Sequence, residues 1–202
     1  MMNQEKPKRN IKVYSPGREF VLPYICREIP DCDISLCPTA SDADVCILNP
    51  GDDAPEECEC VLYCPNIVGT GMTGVPMEIA RRVARGSYYH LGGNEARLST
   101  IHATDVAKAV NIVLDHKGKY VVTDGADPTF HDFSEAIAWR INHKRILTLN
   151  SVWVNWIINP GLRRLITTDC VVDGTLFAEK FDFKPTPVTE YLRTHNYDDE
   201  SL

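Results

Sequence analysis

Gly69, Gly71 and Gly74 stand in the pattern G-x-G-x-x-G within CVLYCPNIVGTGMTGVPMEIARRVARG (residues 60–86), after an apolar run and before a basic amphipathic one. Glycines at this spacing can shape a turn tight enough for backbone N–H groups to reach a phosphate, with the next helix lending its positive end. Such a turn belongs after the first strand of a βαβ unit, with an acidic residue about 20 positions further on. Here several strand candidates precede Gly69, and the segment after the helix, SYYHLGGNEARL, carries Glu95 but no buried strand ending in an acid. The first strand candidate leads instead into YSPGREF, with the single glycine Gly17. Position therefore argues against a primary pyrophosphate cradle at Gly69–Gly74.

Other reactive side chains are scattered. Cys26, Cys32, Cys37, Cys46, Cys58, Cys60 and Cys64 fall close together, but the only tight pair, Cys58-Glu59-Cys60, has strand-like spacing and not the C-x-x-C of a zinc site. Buried reduced thiols are the expectation, a metal or redox site the alternative. Arg81, Arg82 and Arg85 read as a solvated helix face, with an anion or partner site as the sharper option. His131 beside Asp132 could form an acid/base couple, although helix capping near Thr129 is simpler. No Ser/His/Asp or Cys/His nucleophile set emerges.

The elements that must position these residues alternate between two periods. IKVYS (11–15), DISLC (33–37), ADVCIL (43–48) and Cys60 to Ile67 read as strands, and their apolar runs predict burial on both faces, as in a parallel sheet. REFVLPYICREI carries Phe20, Tyr24 and Ile25 at helical spacing, with Pro23 in its first turn. A helix opens at Pro76 and stops at Gly86; another follows Thr104 with Val106, Val110 and Val113 on one face. KYVVT and RILTL are strands flanking a helix capped by Thr129, and SVWVNWII (151–158), the stretch after Asp173 and the stretch after Pro187 read as helices. The alternation is α/β.

The chain has 202 residues, enough for one core with a small second lobe. Its net charge of −7 argues against general affinity for nucleic acid or anionic membrane. The start, MMNQEKPKRN, lacks a signal-peptide core, and no apolar run approaches a membrane span, so a cytoplasmic protein is expected.

Three ordered segments, CPNIVGTGMTG, RLSTIHATDVAKAV and GKYVVTDGADPTFHDFSEAIAWRI, together with the final FDFKPTPVTEYL, resemble the second half of extended short-chain dehydrogenases, the NAD-dependent epimerase/dehydratase family, over about residues 60–192. The resemblance implies a shortened Rossmann-like, mainly parallel sheet over about 10–125 and a small C-terminal substrate-lobe remnant over about 126–202. It implies that the glycines shape a loop bordering the nicotinamide and substrate cleft. By the same resemblance Gly17, Pro65, Asn66 and Gly69 would face NAD or NADP, and Thr70, Gly71, Arg97 and His102 a nucleotide-sugar, with Arg97 near the family's diphosphate-binding arginine. His102 and Asp105 also suit plain helix-start roles.

The family's chemistry needs a Tyr-x-x-x-Lys pair, in which the lysine lowers the tyrosine pKa for proton exchange with a hydroxyl. None of Tyr14, Tyr24, Tyr63, Tyr88, Tyr89, Tyr120, Tyr191 and Tyr197 has lysine four residues later. The link GDDAPEECEC (51–60) is too short for the helix, strand and pair-bearing helix that the family places there. Cys64 and Val68 stand where the family's loop has arginine and tyrosine. The expectation is a catalytically compromised relative that keeps a nucleotide or sugar-like ligand cleft or acts through a partner, either a second copy or a full-length family member. An active NAD(P)-dependent enzyme with Tyr63 or His102 as proton donor, and an edge-strand dimer, are the alternatives.

Overall fold

A computed structural model describes residues 8–141, 146–150 and 160–194. The helix expected at 151–158 lies outside the described residues. Five strands, β1 (Arg9–Tyr14), β2 (Cys32–Leu36), β3 (Val45–Leu48), β4 (Cys60–Tyr63) and β8 (Gly118–Val121), form a sheet in the order β2-β1-β3-β4-β8, every pairing parallel. A 3-10 turn (Glu19–Val21) leads into helix α1 (Leu22–Glu28), with Pro23 in its first turn, where the missing N–H is harmless. Two short parallel pairs lie outside this sheet: β5 (Ile67–Val68) with β7 (Ile101–His102), and β6 (Tyr89–Leu91) with β9 (Leu147–Leu149).

Helix α3 (Ala103–Asp115) packs beside α1 on one face of the sheet. Ala103, Val106, Ala107, Val110 and Val113 are buried at the i, i+3, i+4 spacing of one stripe, and the small alanines let it approach the strands closely. Against that stripe lie Ile11 and Val13 of β1, Val45 and Ile47 of β3, and Cys60 and Leu62 of β4.

The opposite face is different. Residues 49–59 join β3 directly to its parallel neighbour β4, with no helix between them. That face carries a small apolar cluster, Cys46, Leu48, Cys58 and Val61, against which pack Ala40 from a 3-10 turn (Ala40–Asp42) and Ala43 and Ala54 from loops. Towards both edges it turns polar: Lys12, Asp33, Ser35 and Lys119 are exposed. Burial on both faces therefore holds for β3, whose residues are all buried, but not for β1, β2 and β8. Without a covering helix, the outer face must be solvated at its edges.

A second core gathers helix α2 (Gly74–Ala84), α4 (Phe130–Arg140), α7 (Val188–Thr194) and β6 around Phe130, Phe133, Ile137, Ile79 and Leu192. Phe20 packs against both cores. Helices α5 (Pro160–Thr167) and α6 (Thr175–Phe181) complete the described chain. Among the described residues, no helix is long and apolar enough to cross a membrane.

Several element ends moved for identifiable reasons. The strand expected from Cys60 to Ile67 breaks after Tyr63, because Asn66 adopts φ +24° and turns the chain into β5. Helix α2 begins at Gly74 and not Pro76. Helix α3 is capped by His102 and not Thr104: the imidazole Nδ1 accepts from Thr104 N at 3.2 Å. Thr129 does cap α4, accepting from Asp132 N at 3.0 Å, and Asp173 accepts from Thr175 N at 2.9 Å where α6 starts.

The one-sided packing makes a direct prediction. Leu62→Ala, under α3, should cost about 2–5 kcal/mol in denaturant unfolding. Lys119→Ala, on the solvated face of the adjoining strand, should stay within about 0.5 kcal/mol of the parent.

Candidate functional site

The order of strands reverses between β1 and β3, one leading to β2 on its left and the other to β4 on its right. In an open parallel sheet, the crevice beyond the C-terminal ends at such a point is where ligands bind. A cavity of about 280 Å³ lies there, lined among others by Gly17, Arg18, Asn49, Asn66 and Thr73.

Arg18 follows Gly17 in the turn after β1 and reaches across the strand ends. Its guanidinium donates to Leu48 O at 3.2 Å, to Cys64 O and to Asn49 Oδ1. Three of its five N–H groups thus cap carbonyls and an amide at the ends of β3 and β4. Asn49 is itself held, its N and Nδ2 donating to Asp52 Oδ2 at 2.8 and 2.9 Å. Burial pulls the Arg18 pKa below its ordinary value, with Cys64 and Asp52 opposing. The buried Cys64 thiol is pushed up to about 12 and stays protonated.

The turn after β1 is occupied by the protein itself. Gly17, at φ +69°, donates its N–H to Glu19 Oε1 at 3.0 Å, and Arg18 N donates to Ser15 O at 3.1 Å. The amides that a pyrophosphate would need are therefore taken, one of them by a carboxylate. A dinucleotide diphosphate at this turn would have to displace the exposed Glu19 side chain.

The glycine motif is likewise filled. Thr70 N donates to the Tyr24 hydroxyl at 2.8 Å, and a Cβ on Gly69 would meet that oxygen at 2.9 Å and Ala103 Cβ at 3.0 Å. Gly69 is thus a close-approach position against α1 and α3, and Gly71 and Gly74 supply φ of +80° and +69°. Thr73 then ties the motif to the first turn, its Oγ1 donating to Gly17 O at 2.8 Å.

Of the expected cofactor-facing residues, Gly17 and Asn66 line the cavity, and Asn66 is held by a bond from its Nδ2 to Ser99 O at 2.9 Å. Pro65 and Gly69 are buried outside the lining. Thr70 and Gly71 are exposed on the motif. Arg97 is exposed on a segment whose backbone bridges Thr129 and pairs with Asp169 and Cys170, away from this cavity. His102 is 1% exposed, stacked on Tyr191 at 3.6 Å and edge-on to Tyr24 at 5.9 Å. Neither His102 nor Tyr63 lines a described cavity. A spatial tyrosine–lysine pair does exist, Lys180 Nζ donating to Tyr120 Oη at 2.7 Å, but it sits beside Phe177 and Phe181 and lines no described cavity either.

Sequence reasoning missed Arg18, Glu19, Tyr24 and Asn49. The signal for the first two was the charged pair inside YSPGREF, where a phosphate turn would carry small residues. Asn49 and Tyr24 become neighbours of the site only through the sheet order.

All eight cysteines are free thiols, and Cys46, Cys58, Cys60 and Cys64 are buried. Cys58 is drawn down to about 7, chiefly by a hydrogen bond with Cys46, whose own pKa rises for the same reason.

A second cavity, of about 400 Å³, lies past the end of β8 and is lined by Asp124, Asp127 and Asp173 among others. Asp124 accepts from Thr100 Oγ1 at 2.7 Å, Val188 N at 2.8 Å and Ala126 N at 3.0 Å, so it welds the strand end to α7. The acidic lining suits an anion poorly; the first cavity has Arg18 and no carboxylate in its lining.

Gly69→Ala should destabilise by about 1–3 kcal/mol through overpacking against Tyr24. In a Tyr24→Phe background, which removes the nearest atom, the same change should cost less, so a double-mutant cycle checks the contact. Asp124 supplies a pH test. Desolvation raises its pKa above 3.8, so the native state holds that proton better than the unfolded chain, and its contribution is greatest at low pH. The stability of the parent relative to Asp124→Asn should therefore fall as pH rises through the raised pKa, as read by denaturant unfolding across the acid range.

No protein-family model and no curated protein matches the chain. Solved structures do. A UDP-glucose 4-epimerase from Thermus thermophilus, in complex with NAD, matches at TM-score 0.61 and 12% identity over 91% of this chain and 96% of that one. The GDP-mannoheptose C4 reductase MlghC from Campylobacter jejuni, with NADP bound, matches at TM-score 0.60 and 7% identity over 93% and 98%. A GDP-L-fucose synthetase from Naegleria fowleri, bound to NADP, matches at TM-score 0.59 and 6% identity over 93% of each. The fold of this chain is thus Rossmann-like and epimerase/dehydratase-like.

Proposed function

We propose that the protein is a non-oxidoreductase member of the epimerase/dehydratase-like fold that binds a sugar-like or nucleotide-sugar ligand in the cavity at the β1–β3 switch point. The observation that carries this reading is the Glu19 carboxylate on Gly17 N, 3.0 Å away, beside the Arg18 guanidinium capping β3 and β4. A dinucleotide would have to displace both. The space that is left, about 280 Å³, is at the lower end of the roughly 300–1,000 Å³ of ligand pockets. It suits a sugar or nucleoside fragment, met by the guanidinium N–H groups that do not cap the strands.

The absence of a Tyr-x-x-x-Lys pair in the sequence supports the same reading. An active reductase or epimerase needs a proton donor at the cavity, and Tyr63 and His102 both lie outside its lining. The segment from about residue 126 is then the remnant of a substrate lobe. Self-association through β2, an edge strand with Leu36 40% exposed, is the second reading.

Thermal unfolding with NAD, NADP, UDP-glucose and GDP-mannose separates these. A nucleotide-sugar should raise the melting temperature, by an amount equivalent to about 2.7 kcal/mol at 100 times Kd, while NAD and NADP leave it unchanged. Glu19→Ala should strengthen NADP binding tenfold or more, because it frees an amide and removes a like charge, an effect on the order of 1–3 kcal/mol. Stabilisation of the parent protein by NAD or NADP, followed by turnover, would sink the proposal. A flat response to every compound, with a concentration-dependent dimer in sedimentation, would transfer the reading to the edge strand.

A further inference from the structure

His90, His131 and Glu135 converge from two elements, with ligand-capable atoms all within 4.8 Å of one another. His90 is the middle residue of β6 and is 4% exposed. His131 and Glu135 stand four apart on α4, one above the other on the same helix face. The His90 and His131 rings lie 3.8 Å apart, tilted by 39°. None of the three lines either cavity, so this cluster is separate from the ligand cleft.

The hydrogen bonds around His90 decide which ring nitrogen is bare. Ser134 Oγ donates to His131 O at 3.0 Å, so its single proton is committed. His90 Nε2, 2.9 Å from the same Oγ, must then be the donor of that contact. The buried Tyr88 phenol hydrogen-bonds with Ser134 as well. With the proton on Nε2, a neutral His90 turns the lone pair of Nδ1 towards Glu135 Oε1, 3.8 Å away. In that tautomer Nδ1 and the Glu135 carboxylate face each other as two acceptors, an arrangement that a cation converts from repulsion into coordination.

We infer that His90 Nδ1, His131 and Glu135 form a binding site for a borderline divalent transition metal of the zinc class. Two imidazoles and one carboxylate match the ligand preferences of Zn²⁺ and Co²⁺, and three protein ligands leave a coordination position open. Ser134 is the outer partner that fixes the His90 tautomer. His131, which also lies 3.8 Å from Asp132, is exposed and Glu135 half-exposed, so closing on an ion would need their side chains to move, while His90 is buried. A bound ion would pin β6 to α4.

The test uses chelator-treated protein without a polyhistidine tag. Calorimetric titration with Zn²⁺ should show saturable binding of one ion at this site, a raised melting temperature and, with Co²⁺, the visible absorption of a low-coordinate nitrogen and oxygen site. His131→Ala and Glu135→Gln, both surface substitutions, should each weaken binding at least tenfold, and Ser134→Ala by roughly 10–100-fold. His116→Ala should leave it unchanged. Failure to bind either metal overturns the inference. So does binding that survives both His131→Ala and Glu135→Gln, or a Co²⁺ spectrum dominated by thiolate charge transfer, since each puts the metal on other groups.

Discussion

Residues 49–59 carry the chain from the end of one central strand to the start of its parallel neighbour without a helix, and much else follows from that short link. A crossover with no helix leaves one side of the sheet without a cover. The sheet answers with alternating polarity at its edges and a thin layer of alanines and cysteines over β3 and β4. The link also brings Asn49, held by Asp52, to the C-terminal end of β3, where it meets Arg18. The same constraint that strips a face from the sheet thus builds one wall of the cleft.

The cleft is closed off by side chains from its own turns. Three protein groups, the Glu19 carboxylate, the Tyr24 phenol and the Arg18 guanidinium, satisfy backbone groups at the turns that border the cleft. The Glu19 bond is local, whereas those of Arg18 and Tyr24 join residues 30 to 46 apart in sequence and so depend on the packed fold. What survives is a cavity of modest size, with Arg18, Asn49 and Asn66 beside Phe20, Ile67 and Val75, at the place where the topology directs ligands.

Much of this was legible in the residues. The switch from runs such as VCIL to stripes such as Val106, Val110 and Val113 gave the α/β alternation, because burial period follows backbone geometry. The misplacement of the glycine motif after several strands was legible too. The half-polar face was not, since a run of four apolar residues reads alike whether helices or loops cover it. Nor was the role of Gly69, which depends on Tyr24 and Ala103 arriving from distant elements. Arg97 and His102 carried family positions, yet backbone pairing with Cys170 and stacking on Tyr191 determine their surroundings here, and those contacts come from the C-terminal region. The convergence of His90 with α4 had no sequence signal, because His90 and His131 lie far apart along the chain and meet only through the packing of the second core.

Glu19 sits two residues from the amide that it occupies, tethered to its own turn. A tether that short supplies an effective concentration on the order of millimolar or more, which any free anion must outcompete at the same amide. Neutral hydroxyl groups face no such rival at Arg18. On the reading proposed above, this turn would discount the charged portion of a ligand at Gly17 N and leave Arg18 to its uncharged, hydroxylated end.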